Sequence, residues 1–161
     1  MKRIVVLTLM LAFLNCNTQE PKEFPKDALD DTFIALDGNP TSLKAILEAH
    51  KGKTVFIDIW ASWCGDCLRG MPKVKALQKA NDDVVFVFLS LDRGQEAWKR
   101  GIEKHDVQGE HYYMDKGKKG AFSDFVQIDW IPRYMVVDAK GNIKLFKAVE
   151  ADDKRIKQTL Q

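Results

Sequence analysis

The sequence predicts an α/β fold with a mixed central β-sheet flanked by helices on both faces, and three patterns carry that prediction. Two runs, Val55–Trp60 and Val84–Leu89, are almost continuously apolar and rich in β-branched and aromatic residues, and between them Leu68–Ala80 carries apolar residues at helical intervals. Strands of that kind are buried on both faces, so the three segments read as a parallel βαβ unit. Further on, Arg133–Asp138 and Ile143–Ala148 flank the turn Ala139-Lys140-Gly141-Asn142, which pairs them antiparallel. At 161 residues the chain fits one domain, large enough to bury a core without structural disulfides.

The chain opens on Lys2 and Arg3 followed by an essentially apolar run, Ile4 to Leu14. Such a run falls short of the about 20 residues that cross a bilayer but suits the central region of a secretory signal. Residues 1–15 are therefore read as a cleaved signal peptide, with an N-terminal core strand or helix as the bland alternative. Leu14-Asn15-Cys16-Asn17 resembles a bacterial lipoprotein processing site, which implies lipidation of Cys16. The other reading is a plain secreted protein with a free thiol. Residues 16–30 are polar, hold Pro21 and Pro25 and show no periodicity, so they read as a flexible, lipid-anchored linker. The formal net charge is +2, and removal of Lys2 and Arg3 leaves it near zero, so no basic surface for nucleic acid is implied.

The domain proper spans residues 31–161. Thr32–Leu36 is a short strand, and Asp37-Gly38-Asn39-Pro40 a turn. Thr41 or Ser42 can cap a helix running to about His50, which Gly52 ends. This strand and helix form an N-terminal β/α addition to the βαβ unit. Pro72 is expected to kink the helix it lies in. A second helix follows from about Gln95 to His105, then a short strand around His111–Met114, a loop at Gly117–Gly120, a short helix Ala121–Val126, and a closing amphipathic helix Ala151–Leu160. His50, His105 and His111 show no metal-ligand spacing and read as surface or loop residues.

The chemistry centres on Trp60-Ala61-Ser62-Trp63-Cys64-Gly65-Asp66-Cys67, where a strand turns into a helix. Unpaired N–H groups and the positive end of the helix dipole lower a thiol's pKa from about 8.5 and favour the thiolate. Cys64 is then the nucleophile, and Cys67, one turn on, attacks the mixed disulfide and closes an internal Cys64–Cys67 bond. A zinc site lacks a second ligand pair, and a covalent haem site would need His where Leu68 stands. A purely structural disulfide over so short a loop would add little stability. Asp58 lies inside an apolar strand, so its carboxylate is either hydrogen-bonded to backbone or water, or shifted upward in pKa by burial. Asp66, at about 6 Å from the Cys64 sulfur, would oppose the thiolate by roughly 0.7 to 2.8 kcal/mol, which favours a reductant over a strong oxidant. Equally, it is a favourable acid in the first turn of a helix.

Asp58 six residues before Cys64, Trp60 and Trp63 around the turn, Pro72 five residues after Cys67, and Ile131-Pro132 farther on resemble the thioredoxin superfamily. The N-terminal lead-in, the insert between strands and the motif Asp129-Trp130-Ile131-Pro132-Arg133 are more similar to its membrane-tethered TlpA/ResA-like thiol-disulfide oxidoreductases. The resemblance covers about Thr32 to Leu160 and implies a thioredoxin fold. It gives Asp58 the role of proton acceptor from Cys67, and makes Pro132 a cis-proline facing the dithiol. Trp63, Gly65, Asp66, Trp130 and Ile131 then form a substrate-binding rim, whereas Trp60 is expected in the core. No cofactor or metal is implied beyond the Cys64–Cys67 pair.

The resulting expectation is a monomeric thiol-disulfide oxidoreductase of the bacterial cell envelope, facing the periplasm from a lipid anchor. Its partners would be cysteine-containing exported proteins and a membrane redox protein that regenerates it. Two competitors remain: a peroxidase of the peroxiredoxin type, whose usual threonine is replaced by Ala61, and a non-catalytic binding module using the tryptophan rim.

Overall fold

Six consecutive buried residues, Val55–Trp60, form the central strand β3, and the rest of the sheet assembles outward from it. The computed structural model describes residues 19–160. In chain order the elements are α1 (Lys26–Asp30), β1 (Thr32–Ala35), β2 (Pro40–Ser42), α2 (Leu43–Ala49), β3, α3 (Gly65–Ala80), β4 (Val85–Ser90), α4 (Gln95–His105) and β5 (Glu110–Tyr113). A 3₁₀ turn (Gly117–Lys119), α5 (Ala121–Val126), β6 (Arg133–Val137), β7 (Ile143–Ala148) and α6 (Lys154–Leu160) complete the chain. They build one seven-stranded sheet in the order β2-β1-β5-β4-β3-β6-β7. β3, β4 and β5 run parallel; the remaining pairings are antiparallel. This is the mixed α/β arrangement of the thioredoxin fold.

Side chains alternate along β3, so Phe56, Asp58 and Trp60 share one face and Val55, Ile57 and Ile59 the other. The right-handed β3-α3-β4 and β4-α4-β5 crossovers put α3 and α4 on the first face. There the Trp98 ring of α4 meets Tyr113, 5.8 Å between centroids. On the opposite face α5 delivers Phe122 against Phe33 at 5.6 Å, edge to face. Each large apolar side chain buried this way contributes about 1.5–3 kcal/mol, enough for β3 to tolerate one charged residue.

Several expectations need correction. The linker read as ending at residue 30 is folded from Phe24 onward: Phe24 is buried against Phe122 and Phe125, and Ala28 of α1 is fully buried. Short apolar spacing in a Pro- and charge-rich stretch carried too weak a periodic signal to reveal that. Residues 1–18, including the signal peptide and Cys16, lie outside the described residues. Pro40, expected to end the turn, opens the strand Pro40–Ser42 that pairs with β1, which its edge position permits for a proline. Ser42 then caps α2 by accepting from the Ala45 N–H at 3.1 Å. The closing helix starts at Lys154, because Asp153 accepts the Arg155 N–H at 2.9 Å and so stands at its cap.

His111 is a core residue. Its ring stacks on Phe88 at 5.2 Å, and Nε2 donates to the Val107 carbonyl at 2.9 Å. Burial lowers its pKa, which favours the neutral ring. His50 sits half-buried at the end of α2, its Nε2 2.9 Å from Glu110 Oε2 on β5.

Candidate active site

The site lies where the parallel strands end, at the edge toward which β3 and β4 both point. Cys64 is the N-cap of α3, with extended backbone angles, and its sulfur accepts the Cys67 N–H at 3.1 Å. That N–H is one of the four that a helix start leaves unpaired, so it is available to a sulfur anion. The two cysteines are joined as a disulfide with Cα atoms 5.3 Å apart. Cys64 is 6% exposed and Cys67 2%. The Cys64 sulfur is thus recessed, at the floor of a cleft lined by Trp63, Lys118, Asp129, Trp130 and Ile131.

The Ile131–Pro132 peptide is cis, as the sequence resemblance implied. The Ile131 carbonyl oxygen stands 3.6 Å from Cys64 Sγ, so the backbone before the proline faces the dithiol directly. Ile131 itself is nearly buried, whereas Trp63 and Trp130 are 57% and 58% exposed on either side of the sulfur. Trp60 is in the core. Asp66 occupies the first turn of α3 and is ion-paired with Arg69, which offsets part of its repulsion toward Cys64. Gly65 opens the helix beside it.

Asp58 is 1% exposed, on the face that α3 covers, the helix whose first turn carries Cys67. Burial pushes its pKa up to about 8, and its Oδ1 has no hydrogen-bond partner among the described residues. Near neutrality a carboxyl with that pKa is mostly protonated, and freeing the carboxylate costs only about 1.4 kcal/mol, so the group can both hold and release a proton there.

Three residues that hold the site were given no role from the sequence. Asp92, just past β4, accepts the Ser62 N–H at 3.1 and 3.2 Å, the Ser62 hydroxyl at 2.6 Å and the Ser90 hydroxyl at 2.8 Å. It fixes the loop two residues before Cys64, and Gly101 of α4 leaves room for that loop, since a Cβ there would collide with Ser62. An acidic residue at the end of a parallel strand was the available signal. Arg133, 1% exposed, donates to the Val126 carbonyl, lies 3.7 Å from Asp129 and stacks over the Phe146 ring at 5.6 Å. It underpins the segment bearing Trp130 and Ile131. Tyr134, next along β6, is fully buried opposite Asp58. The sequence names Arg133 only as the last residue of the Asp129–Arg133 motif, and nothing local marks Tyr134.

Among the described residues no group of three or more His, Cys, Asp or Glu is placed to hold a metal ion, and no helix is long and apolar enough to cross a membrane.

Compared with known proteins, residues 52–143 match the family described as thioredoxin-like. The thiol-disulfide oxidoreductase ResA of Bacillus cereus is 26% identical over 129 residues, covering 78% of this chain and 69% of the relative. The thiol:disulfide interchange protein DsbE of Haemophilus influenzae is 25% identical, covering 98% of this chain and 90% of its own. Among solved structures, a thiol:disulfide interchange protein from a Bacteroides species superposes with a TM-score of 0.69 at 26% identity, covering 86% and 88% of the two chains.

Proposed function

This chain belongs to the thioredoxin-like family and is a thiol-disulfide oxidoreductase, and from that premise we propose that it reduces disulfides in exported proteins of the bacterial cell envelope. The observation that carries the reading is the Cys64 sulfur at the N-cap of α3, receiving the Cys67 N–H with Cys67 itself in bonding reach. Cys64 thiolate attacks a substrate disulfide while the extended substrate segment lies along the Ile131 backbone between Trp63 and Trp130. Cys67 then displaces the substrate thiolate, giving its proton to Asp58. The redox group is the protein's own cysteine pair.

The reductant direction rests on Asp66 beside the attacking sulfur, moderated by Arg69. A membrane redox protein would re-reduce the pair, and a lipid on Cys16 would hold the domain at the periplasmic surface as a monomer. Equilibration with glutathione is expected to give a potential more negative than about −180 mV. A more oxidising value overturns the reductant direction while leaving the exchange activity standing. A Cys67→Ser variant is expected to accumulate mixed disulfides with envelope proteins, and Cys64→Ser to lose exchange altogether.

A further inference from the structure

Lys116, Lys118 and Lys119 stand on or just before the 3₁₀ turn between β5 and α5, yet they meet different surroundings. Lys116 Nζ is held by Asp31 at 2.6 Å. Lys119 lines a cleft on that same side, together with Asp27, Asp30 and Asp31. Lys118 instead lines the cleft of about 380 Å³ that Cys64, Trp63, Trp130 and Ile131 also line. The turn that carries it is held in place. The Gly117 N–H donates to the Met114 carbonyl at 2.9 Å, the Lys119 N–H to the Lys116 carbonyl at 3.1 Å, and the Ser123 hydroxyl to the Gly117 carbonyl at 2.7 Å.

The carboxylates of this cleft are already engaged. Asp129 accepts from Lys147 Nζ at 2.8 and 3.1 Å and from the Trp130 N–H at 2.9 Å, and Arg133 lies 3.7 Å away. Asp66 is paired with Arg69. Lys118 is exposed and has no carboxylate in ion-pairing reach among the described residues. Around the cleft, the four cations Arg69, Lys118, Arg133 and Lys147 face the two carboxylates Asp66 and Asp129, a net +2. The unspent charge beside the sulfur is therefore positive, and it belongs to Lys118.

We propose that Lys118 is a specificity determinant that binds a carboxylate of the substrate, so that preferred disulfides carry an aspartate or glutamate one or two residues from the cysteine under attack. The inference deepens the proposed function and rests on it, since it requires an extended substrate segment in this cleft. A space of that volume is roughly 7 Å across, about two residues of extended chain at about 3.3 Å each, so a side chain at that separation shares the cleft with Lys118. A basic neighbour would meet Lys118 as a like charge, with both nearby carboxylates already paired. The exchange chemistry is unchanged. Cys64 thiolate bonds to one substrate sulfur, the substrate's own S–S bond breaks, and the electron pair leaves on its second sulfur, which takes a proton from water.

Two short peptides test this, identical except for aspartate or lysine on either side of a cysteine, each joined to a second copy of itself by a disulfide. Stopped-flow tryptophan fluorescence of the reduced protein reads the second-order rate constant. The acidic peptide is expected to react about fivefold faster than the basic one at low salt, equivalent to about 1 kcal/mol. In about 1 M salt, where the screening length falls to about 3 Å, the ratio should shrink toward one. Lys118→Met should bring the low-salt ratio below about twofold, and Lys118→Glu should invert it. Both changes lie on an exposed turn position, so melting temperature should stay the same. Uncharged hydroxyethyl disulfide should react equally with the parent and both variants. A parent that treats the two peptides alike, or a preference that survives both substitutions, overturns the role of Lys118 while exchange itself stands. A parent that reacts with neither peptide nor with hydroxyethyl disulfide overturns the proposed function, and the substrate preference with it.

Discussion

At Asp58 the competition is between a strand that gains by burying every residue and a carboxylate that resists leaving water. Burial wins, and the pKa moves from 3.8 up to about 8. Between those two values the folded chain binds a proton that the unfolded chain lacks, so stability falls by about 1.4 kcal/mol per pH unit as pH rises. The contribution is complete below about pH 4, is lost as pH climbs through about 8, and is flat above. Asp58→Asn cannot ionise, so it should be more stable than the parent by roughly 4 kcal/mol at pH 7 and nearly equal to it near pH 4. Urea unfolding of the oxidised proteins from pH 4 to 9 measures this, and a gap that does not widen with pH contradicts it. The sequence alone marked Asp58 as exceptional, because one charge in six strand residues breaks a pattern. It could not mark Tyr134, which is one aromatic among many until the β3·β6 register places it opposite Asp58.

Among the elements, one carboxylate ties the N-terminal addition to α5 and to Lys116. Asp31 accepts from the Thr32 N–H at 3.0 Å, from Lys116 Nζ at 2.6 Å and from the Phe122 N–H in the first turn of α5 at 2.9 Å. Gly120 must remain without a Cβ, since one would strike the Asp31 carboxylate. Asp31→Ala leaves a buried N–H unpaired, for a loss of about 2–3 kcal/mol in unfolding free energy. Hydrogen exchange at the Phe122 amide should rise beyond what that global loss explains, and exchange at β3 amides should not. Uniform acceleration would mean the carboxylate does not hold α5 locally. Element types and order in the central βαβ unit and the hairpin were legible, because each rests on periodicity within a few residues. α1 and β2 were not, as each is short and is held by partners elsewhere in the chain: Phe24 by Phe122 and Phe125, and Thr41 by Phe33.

For the molecule as a whole, the proposed function turns on two exposed tryptophans that rim a recessed sulfur. Trp63→Ala and Trp130→Ala should each raise KM for a protein disulfide roughly tenfold, about 1.4 kcal/mol, with kcat and melting temperature nearly unchanged. Reactivity toward a small disulfide such as oxidised glutathione should hardly move. An equal loss with both substrates would place the tryptophans in the chemistry instead of in recognition. The amino-acid order by itself determined the dithiol, its place at a helix start and the strands around it, since spacing, capping and hydrophobic period act over a few neighbouring residues. Only the tertiary structure decided which side chains surround the sulfurs. Asp92 under the active-site loop, Arg133 beneath Trp130, and Tyr134 opposite Asp58 meet their partners through the strand order β2-β1-β5-β4-β3-β6-β7. That order arises from crossovers and packing between distant segments, and no local pattern in the chain records it.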